Sequence, residues 1–433
     1  MRNSPFWWIL IGFMALLDFY VFQAVRVLTQ SAGSKTKLIV HICYWAISGL
    51  ALITLIILPY LHFGTQHKLL KNTLFAIIVG LFFSKIIASI FFLVDDLRRG
   101  IQWVAGKLIF SGTEGETMEQ GVKISRSAFL SWVGILAGGG LFSTLLYGFN
   151  NKYRYQLHRL QLSFDNLPPG FKGLKIVQIS DIHSGSFTDR HAVMHGVEKV
   201  LKEKPDLILF TGDLINNLAE EMNDYMDVFN QVKAPMGVYS ILGNHDYGDY
   251  VSWPDRNEEH HAKEKQAGKH LLTPLQQANL DRLKNTHAEL GWRLLLDEHV
   301  ELEKGGDKMA LIGVQNWSSK ARFPKYGNLK KAYEGSENYP FKILMSHDPS
   351  HWDGEVKPHY PDISLMLAGH THGMQFGVEI PGFKWSPVQY IYKEWAGLYQ
   401  EGKQKLYVNR GYGFIGYPGR VGILPEITVI DMV

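Results

Sequence analysis

The first third of the chain alternates between long apolar runs and short polar connections. The apolar runs cover residues 6–28, 38–63, 72–94 and 128–149. Each is long enough to cross the hydrocarbon core of a bilayer, which takes about 20 helical residues. Trp7, Trp45 and Trp132 lie near the ends of their runs, as the residues of an interfacial aromatic belt do. We therefore predict a transmembrane anchor of four helices over residues 1–150, the alternative being four buried helices of a soluble domain.

Two charged residues interrupt these apolar runs: Asp18 in the first and Lys85 in the third. A charge inside the membrane is costly and usually finds a partner. Both residues lie near the middle of runs that cross the membrane in the same direction, so they lie at similar depth. We predict an Asp18–Lys85 ion pair inside the bundle. A pathway for protons or ions is the alternative.

The side of the membrane that holds the C-terminal domain depends on how Lys and Arg are distributed among the connections. An even number of spans puts this domain on the same side as the N-terminus. The first and third connections carry seven basic residues, against six on the opposite side. The third connection contains LRRGIQWVAGKLIF, in which Leu97, Ile101 and Val104 share one helical face, as in helices that lie on an anionic cytoplasmic leaflet. These patterns favour a cell-membrane protein with an extracytoplasmic C-terminal domain.

Short apolar runs of the kind that form buried strands recur from residue 174 onward, and each ends in polar side chains. In chain order these are Asp181 and His183, then Asp213, then Asn244 and His245, then His347, then His370 and His372. Residues 189–203 have the periodicity of an amphipathic helix, which gives a strand–helix–strand unit. Ligands of open α/β sheets collect at the carboxyl ends of the strands, so we expect these side chains at one rim.

These eight side chains are too many for one metal ion and enough for two ions that share a carboxylate. Asp, Asn and His supply nitrogen and oxygen donors, which suit Mn, Fe, Zn or similar divalent ions. The neighbouring Gly212, Gly243 and Gly369 permit tight turns and close approach of the backbone. One such motif alone is often an ordinary turn with a surface histidine. Five of them, each at the end of an apolar run, indicate a metal centre.

The order Asp-x-His, Gly-Asp, Gly-Asn-His-Asp, a downstream His and Gly-His-x-His resembles that of the calcineurin-like metallophosphoesterases. The resemblance covers nearly all of residues 160–433. It implies an α/β fold in which a two-sheet β-sandwich is flanked by helices, with a dinuclear centre at one edge. The expected organisation is the anchor over residues 1–150 and a catalytic domain over 151–433, with a polar insertion at about 250–290.

The resemblance also implies a role for each matching residue. One ion would be held by Asp181, His183, Asp213 and His372. The other would be held by Asp213, Asn244, His347 and His370, with Asp213 bridging the two. Such a pair of ions makes hydroxide available for attack on phosphorus near neutral pH. His245 would stabilise the developing charge or protonate the leaving group, and Asp246 would orient the His245 ring.

Several stretches outside the metal motifs look like the bacterial membrane- or wall-associated branch of the family, among them LPPGFKGLKIVQISDIH and GILPEITVI. That branch contains phosphodiesterases, some acting on UDP-linked acyl-glucosamine precursors of lipid A. The chain departs from the branch at Met374, where glycine is usual, and at Ser184, where Leu or Phe is frequent. Neither position is a metal ligand, although Met374 is expected at the rim of the substrate site.

Other polar residues are weaker candidates. His260 and His261 lie in DRNEEHHAKEKQ, which predicts a solvated helix within the insertion. We expect this helix to form a lid over the substrate rather than to bind metal. His351 is expected to support the site or the fold. Arg410 in NRGYGF either binds a substrate phosphate bidentately or pairs with a structural partner.

The composition adds limits on function. The net charge is +3 with acids and bases interspersed, so no nucleic-acid partner is expected. The single cysteine, Cys43, excludes a framework of intrachain disulfides. We predict a membrane-anchored phosphohydrolase with two divalent metals, acting on a phosphodiester or pyrophosphate of a lipid-linked or envelope substrate. The alternatives are a phosphomonoesterase or nuclease of the same fold and a non-catalytic metal-binding sensor; the oligomeric state is open.

Overall fold

The computed structural model describes residues 5–60, 68–109, 126–267 and 270–433. It separates into two compact units, Met1–Tyr147 and Gly148–Val433. Three parts of the predicted organisation lie outside the described residues. These are positions 61–63 of the second apolar run, residues 110–125 of the third connection, and residues 268–269 of the insertion.

The described part of the N-terminal unit is helical. Its helices are α1 (Pro5–Leu28), α2 (Ser34–Ile57), α3 (Lys68–Ile109) and α4 (Arg126–Asn150). Within the described residues, all four are long and apolar enough to cross a membrane. Large apolar side chains such as Leu16, Ile39 and Leu136 are exposed on them, as expected for helices surrounded by lipid. These helices confirm the predicted membrane anchor.

The third helix is longer than its apolar run. We predicted a separate amphipathic segment around LRRGIQWVAGKLIF, but α3 continues through it without a break to Ile109. No proline interrupts this region. Arg98 and Arg99 also pair with Asp95 one turn earlier, which supports the helix. The sequence pattern did not show that the helix is continuous.

The predicted ion pair between Asp18 and Lys85 is confirmed. The Lys85 ammonium contacts Oδ1 of Asp18 in the interior of the bundle, where both side chains are buried. Ser48 of α2 donates to the same carboxylate oxygen at 2.9 Å, and Tyr44 donates to the Asp18 carbonyl at 2.7 Å. The pair therefore joins three helices and has the further hydrogen bonds that a buried charge requires.

The second unit contains six further helices and fourteen strands in its described residues. The helices are α5 (Arg190–Lys202), α6 (Met226–Phe229), α7 (Glu258–Ala267), α8 (Pro274–Glu289), α9 (Leu329–Tyr333) and α10 (Lys357–His359). The strands are β1 (Gln156–Leu162), β2 (Lys175–Ile179), β3 (Leu207–Phe210), β4 (Val238–Ser240), β5 (Arg293–Leu294), β6 (Glu298–Lys304), β7 (Asp307–Gly313), β8 (Lys342–Met345), β9 (Leu365–Ala368), β10 (Val378–Ile380), β11 (Phe383–Trp385), β12 (Gly397–Glu401), β13 (Gln404–Val408) and β14 (Glu426–Met432).

Twelve of these strands form two six-stranded mixed sheets. The first has the order β1-β14-β2-β3-β4-β5, and the second has the order β12-β13-β9-β8-β7-β6. Strands β2, β3 and β4 run parallel to one another, as do β7, β8 and β9. Short strands of Val, Ile and Leu form these parallel regions because both of their faces are buried. The remaining strands, β10 and β11, form a separate hairpin.

The core has three layers of apolar contacts. Ile176 and Leu209 of the first sheet pack with Leu311, Ile343 and Leu367 of the second to form the layer between the sheets. The outer face of the first sheet packs against α5 and α8, and the outer face of the second packs against α9. This arrangement confirms the predicted β-sandwich flanked by helices.

Candidate metal centre and active site

The loops that follow β2, β3, β4, β8 and β9 meet at one site. Five residues there have left-handed backbone conformations: Asp181, His183, Asp213, His370 and His372, with φ between +48° and +71°. A residue other than glycine in this region costs about 1–3 kcal/mol, and such strain concentrates at functional sites. The backbone turns sharply after β2, β3 and β9, which helps to bring side chains from distant parts of the chain together.

One cluster contains Asp181, His183 and His372, all buried. Nε2 of His183 lies 3.0 Å from Nε2 of His372, and the latter lies 3.2 Å from Oδ1 of Asp181. Metal–ligand bonds to N and O are about 2.0–2.2 Å long, so two ligands of one ion lie about 3 Å apart. The donor atoms of this cluster have the spacing of ligands around one cation.

A second cluster contains Asp213, Asn244, His347 and His370. Nε2 of His347 is 3.1 Å from Oδ2 of Asp213, and Nδ1 of His370 is 2.7 Å from Oδ1 of Asn244. The same Oδ2 of Asp213 is 3.5 Å from Nε2 of His183 in the first cluster. The Asp213 carboxylate therefore lies between the two clusters, where a bridging ligand would lie.

Hydrogen bonds behind the clusters fix the histidine rings. Nδ1 of His347 donates to the Thr211 carbonyl at 2.7 Å, which leaves Nε2 as its electron-pair donor. Nε2 of His370 lies 2.9 Å from the Tyr392 hydroxyl, which leaves Nδ1 facing Asn244. Such outer contacts orient metal-binding rings in general.

The electrostatic field of the site favours positive charge. Burial would lower the pKa of the His347 ring, but the Asp213 carboxylate, with a contribution from Asp181, raises it to about 10. Two buried carboxylates that hold a proton on histidine this strongly would also stabilise a divalent cation. The donor atoms and the field together fit two ions of the Mn, Fe or Zn type.

His245 lies at the edge of the cluster. Its backbone N–H donates to Oδ1 of Asp213 at 2.8 Å, and Nδ1 of its ring donates to the Asn216 carbonyl at 2.8 Å. The ring also packs against Tyr250, with 4.4 Å between ring centroids. With Nδ1 engaged by a carbonyl, Nε2 is the nitrogen left for a substrate.

Asp246 does not orient the His245 ring, contrary to the prediction. Its two carboxylate oxygens accept hydrogen bonds from four backbone N–H groups, at positions 213, 214, 215 and 243. Adjacent residues of the short helical turn point in different directions, so Asp246 faces the loops after β3 and β4. Burial, together with the charge of Asp213, raises the pKa of Asp246 to about 7. Asp246 therefore supports the backbone of the loops that carry Asp213 and Asn244.

Arg410 is a structural residue and does not line the pocket. Its guanidinium is buried and donates to both oxygens of Glu379 and to Oε2 of Glu426. Arg322 lines the pocket beside His245 and is exposed to solvent. Of the two roles that the sequence left open for Arg410, the structure shows the pairing with structural partners and not a position to bind phosphate, and Arg322 is the arginine that a substrate can reach.

The remaining histidines of interest lie away from the clusters. His260 on α7 faces the Leu271 carbonyl at 3.0 Å, and His261 is exposed. His351 is buried between Ser346 and Glu355, which makes it a structural residue as predicted. Among the residues of the insertion that the structure describes, Tyr250 lines the pocket.

The two clusters open into a pocket of about 620 Å³. Phe323, Met374, Val388, Ile391 and Ile415 form its apolar wall. Met374 thus lies at the rim where the sequence placed it. Arg322, Tyr250 and Tyr392 also line the pocket. They were not predicted, because they lie in loops without a recognisable motif.

Family models match both units of the chain. Residues 1–152 match the model described as "Probable Calcineurin-like phosphoesterase, transmembrane domain". Residues 174–374 match the calcineurin-like phosphoesterase model. The second match contains all seven predicted metal ligands together with His245.

Three relatives with similar sequences are metallophosphoesterases or contain such a domain. The metallophosphoesterase YkuE of Bacillus subtilis is 30% identical over 72% of this chain and 98% of its own length. A zebrafish transmembrane protein with a metallophosphoesterase domain is 28% identical over 63% of this chain, which spans 56% of that relative. The UDP-2,3-diacylglucosamine pyrophosphatase LpxG of Chlamydia muridarum is 28% identical over 56% of this chain and 78% of its own length. These matches confirm the resemblance seen in the motifs: the chain belongs to the calcineurin-like metallophosphoesterases and is a membrane-associated member of that family.

Proposed function

We propose that this protein uses two divalent metal ions to hydrolyse a phosphodiester or pyrophosphate bond in a lipid-linked or envelope substrate. The observation that carries this proposal is the position of the Asp213 carboxylate between two clusters of buried ligand atoms. When bound, two such ions polarise a phosphoryl group and supply a nucleophile from water at neutral pH. The reaction adds water across a P–O bond and leaves a phosphate ester and an alcohol, or two phosphate esters.

The ligand sets of the proposal follow the two clusters. The first ion would be held by Asp181, His183, Asp213 and His372, and the second by Asp213, Asn244, His347 and His370. The outer hydrogen bonds to Thr211 and Tyr392 hold two of these rings in place before any ion binds. A site that is positioned in advance loses less entropy when it takes up its ligand.

His245 is the proposed acid–base residue. The Asn216 carbonyl holds its Nδ1 proton, so the Nε2 of a protonated ring donates to a phosphoryl oxygen or to the leaving oxygen. A proton transfer of this kind contributes roughly 10²–10⁴-fold to a rate. Arg322 on the same pocket would hold a non-bridging phosphate oxygen, a contact for which a guanidinium is well suited.

Two features support a lipid-linked or envelope substrate. Helix α4 ends at Asn150 and β1 begins at Gln156, so a short connection joins the membrane anchor to the catalytic unit. The relative LpxG carries the name of a pyrophosphatase that acts on a diacylated sugar nucleotide. A cell-membrane protein with an extracytoplasmic catalytic unit is the arrangement that the distribution of basic residues favours.

Hydrolysis of two chromogenic substrates tests the proposal. The full-length protein is purified in detergent and given bis-p-nitrophenyl phosphate or p-nitrophenyl phosphate, with Mn²⁺ or with chelator. Asn244→Ala and His245→Ala are the test variants, and His261→Ala, at an exposed position, is the matched control. We expect metal-dependent hydrolysis of the diester that the control retains and both test variants lose. Hydrolysis of the monoester alone would contradict the proposal and indicate a phosphatase.

A further inference from the structure

The β10–β11 hairpin has one polar and one apolar face. In its register Val378 pairs with Trp385 and Ile380 pairs with Phe383. Directly paired residues of antiparallel strands lie on the same face of a hairpin, so these four form one face. Glu379 and Lys384 pair with each other and form the opposite face.

The charged groups of the polar face contact the rest of the catalytic unit, although Lys384 itself is also exposed. Glu379 accepts two hydrogen bonds from the buried guanidinium of Arg410. Lys384 donates to the Ala396 carbonyl and, at 3.2 Å, to the Tyr399 hydroxyl. These contacts fix the orientation of the hairpin, because turning it over would leave the Arg410 charge without one of its two carboxylates.

The apolar face is therefore turned outward. Ile380 is 58% exposed and Phe383 is 54% exposed, and Val378 is exposed beside them. A hairpin on the surface of a soluble protein usually has the reverse arrangement, with the apolar side against the core. Contiguous exposed apolar surface of this kind marks a site of contact with a partner or a membrane.

This surface continues into the catalytic pocket. Nε1 of Trp385 donates to the Tyr390 hydroxyl at 3.4 Å, and Tyr390 is exposed. The next residue, Ile391, is also exposed and lines the pocket that contains His245 and Arg322. The side chains Val378, Ile380, Phe383, Trp385, Tyr390 and Ile391 together are called here the apolar hairpin face.

We propose that the apolar hairpin face is a lipid-contacting surface, which lies among the headgroups and upper acyl chains of a bilayer beside the catalytic pocket. The chain carries four helices that can cross a membrane, so a bilayer is always present near it. Tyr and Trp, each with an apolar ring and a polar atom, are the side chains preferred at the boundary of headgroups and hydrocarbon. The hairpin lies outside residues 174–374, so the match to the family model does not account for it.

The proposal also narrows the substrate class, and in this respect it rests on the proposed function. A phospholipid whose acyl chains stay in the bilayer can present its phosphoester directly to a pocket that adjoins a membrane-contacting face. Ile391 belongs to both the apolar hairpin face and the pocket wall, and the apolar Met374, four residues before Val378 in the chain, lines the same pocket. The substrate expected here is a phosphodiester with at least one acyl chain.

A quenching experiment tests the contact itself and needs no enzymatic activity. In the full-length Cys43→Ser protein, bimane is attached to Ile380→Cys, or to Leu275→Cys as a matched exposed apolar position. Each protein is placed in phosphatidylcholine nanodiscs with ordinary or brominated acyl chains. We expect brominated lipid to quench the label at 380 strongly and the label at 275 little. Equal quenching at both positions, or none at 380, would overturn the proposal.

A kinetic experiment tests the consequence for substrates. The Ile380→Ser/Phe383→Ser variant and the control Leu275→Ser are compared on phosphatidyl-p-nitrophenol in nanodiscs and on soluble bis-p-nitrophenyl phosphate. The double variant should lose roughly tenfold or more in kcat/KM on the lipid and nothing on the soluble diester, since burying such side chains is worth at least this much. Equal losses on both substrates would overturn the substrate assignment. If the unmodified protein hydrolyses neither substrate, the proposed function is contradicted. The quenching result still decides whether the apolar hairpin face contacts the membrane.

Discussion

Nε2 of His183 lies 3.0 Å from Nε2 of His372, the carboxylate of Asp181 lies beside them, and all three side chains are buried. The Nε2 atoms of both rings and an oxygen of Asp181 therefore surround one small volume. A cation in that volume satisfies all three side chains at once. The left-handed backbone at each of these residues shows that the chain accepts local strain to keep this arrangement.

Replacing His245 should lower the rate without removing the metals. Its Nδ1 is held by the Asn216 carbonyl, and the ring lines the pocket beside the ligand clusters. We expect His245→Gln to reduce kcat by roughly 10²–10⁴-fold, the usual contribution of a general acid. The metal content, measured by mass spectrometry, should equal that of the unmodified protein. A variant that loses metal in proportion to activity would show that His245 is a ligand.

The two arginines near the site should respond in opposite ways to substitution. Arg410 pairs with the buried Glu426 and the half-buried Glu379, so Arg410→Met leaves a buried carboxylate without its partner and should cost about 3–5 kcal/mol of stability. Arg322→Ala removes an exposed side chain and should leave the thermal unfolding midpoint unchanged while lowering kcat/KM. Thermal unfolding and kinetics on both variants give the comparison. The opposite pattern would restore Arg410 as the substrate-binding residue.

The Asp18–Lys85 pair should show coupled effects on the stability of the membrane unit. Either Asp18→Asn or Lys85→Met leaves one buried charge unpaired, which costs about 3–5 kcal/mol in buried pairs of soluble proteins. The double variant removes both charges and should cost less than the sum of the single changes. Unfolding of the full chain by SDS gives the stability of the unmodified protein, both single variants and the double variant. Strictly additive losses would contradict the ion pair.

His287 should make the catalytic unit less stable in mild acid. Its ring is buried, neither ring nitrogen has a hydrogen-bond partner among the described residues, and burial lowers its pKa to about 3. The unfolded chain binds a proton near pH 6.5 and the folded chain does not. The free energy of unfolding therefore does not depend on the titration of this ring above pH 6.5. Below pH 6.5 it falls by about 1.4 kcal/mol for each pH unit, until pH 3 is approached.

The control for this pH dependence is His287→Phe, which fills the same space beside Phe210 and Trp292 without a titrating group. The unfolding midpoint of the unmodified protein should fall relative to that of His287→Phe as the pH is lowered from 7 to 5. A difference between the two midpoints that stays constant over this range would mean that the ring binds its proton equally well in the folded and unfolded chains, and would contradict the prediction.

The sequence predicted the candidate metal ligands, and the structure brings them together, because each lies directly after a short apolar run. Strands of this kind are parallel and buried, so their carboxyl ends meet at one edge, and residue type alone then indicates ligands. The fold followed from the same pattern and from the resemblance that the motifs carry. The Asp18–Lys85 pair was predictable because a charge inside the membrane needs a partner at the same depth.

The partners of these residues were not predictable. The group that binds Nδ1 of His245 is the backbone carbonyl of Asn216. Every residue has such a carbonyl, so the sequence does not indicate which one binds the ring. Arg410 pairs with Glu379, which is 31 positions away and on a separate hairpin, so the ion pair exists only in the folded chain. The role of Asp246 depends on the direction of its side chain, which the motif does not specify.

Metal content is the most direct measurement of the central claim that two ions share the Asp213 carboxylate. Full-length protein purified with Mn²⁺ present is analysed by mass spectrometry alongside Asp213→Asn, His372→Ala and His347→Ala variants. We predict two ions per chain in the unmodified protein, about one in each histidine variant, and fewer than one in Asp213→Asn. A single ion per chain in the unmodified protein, or a full pair retained by Asp213→Asn, would contradict the bridged centre.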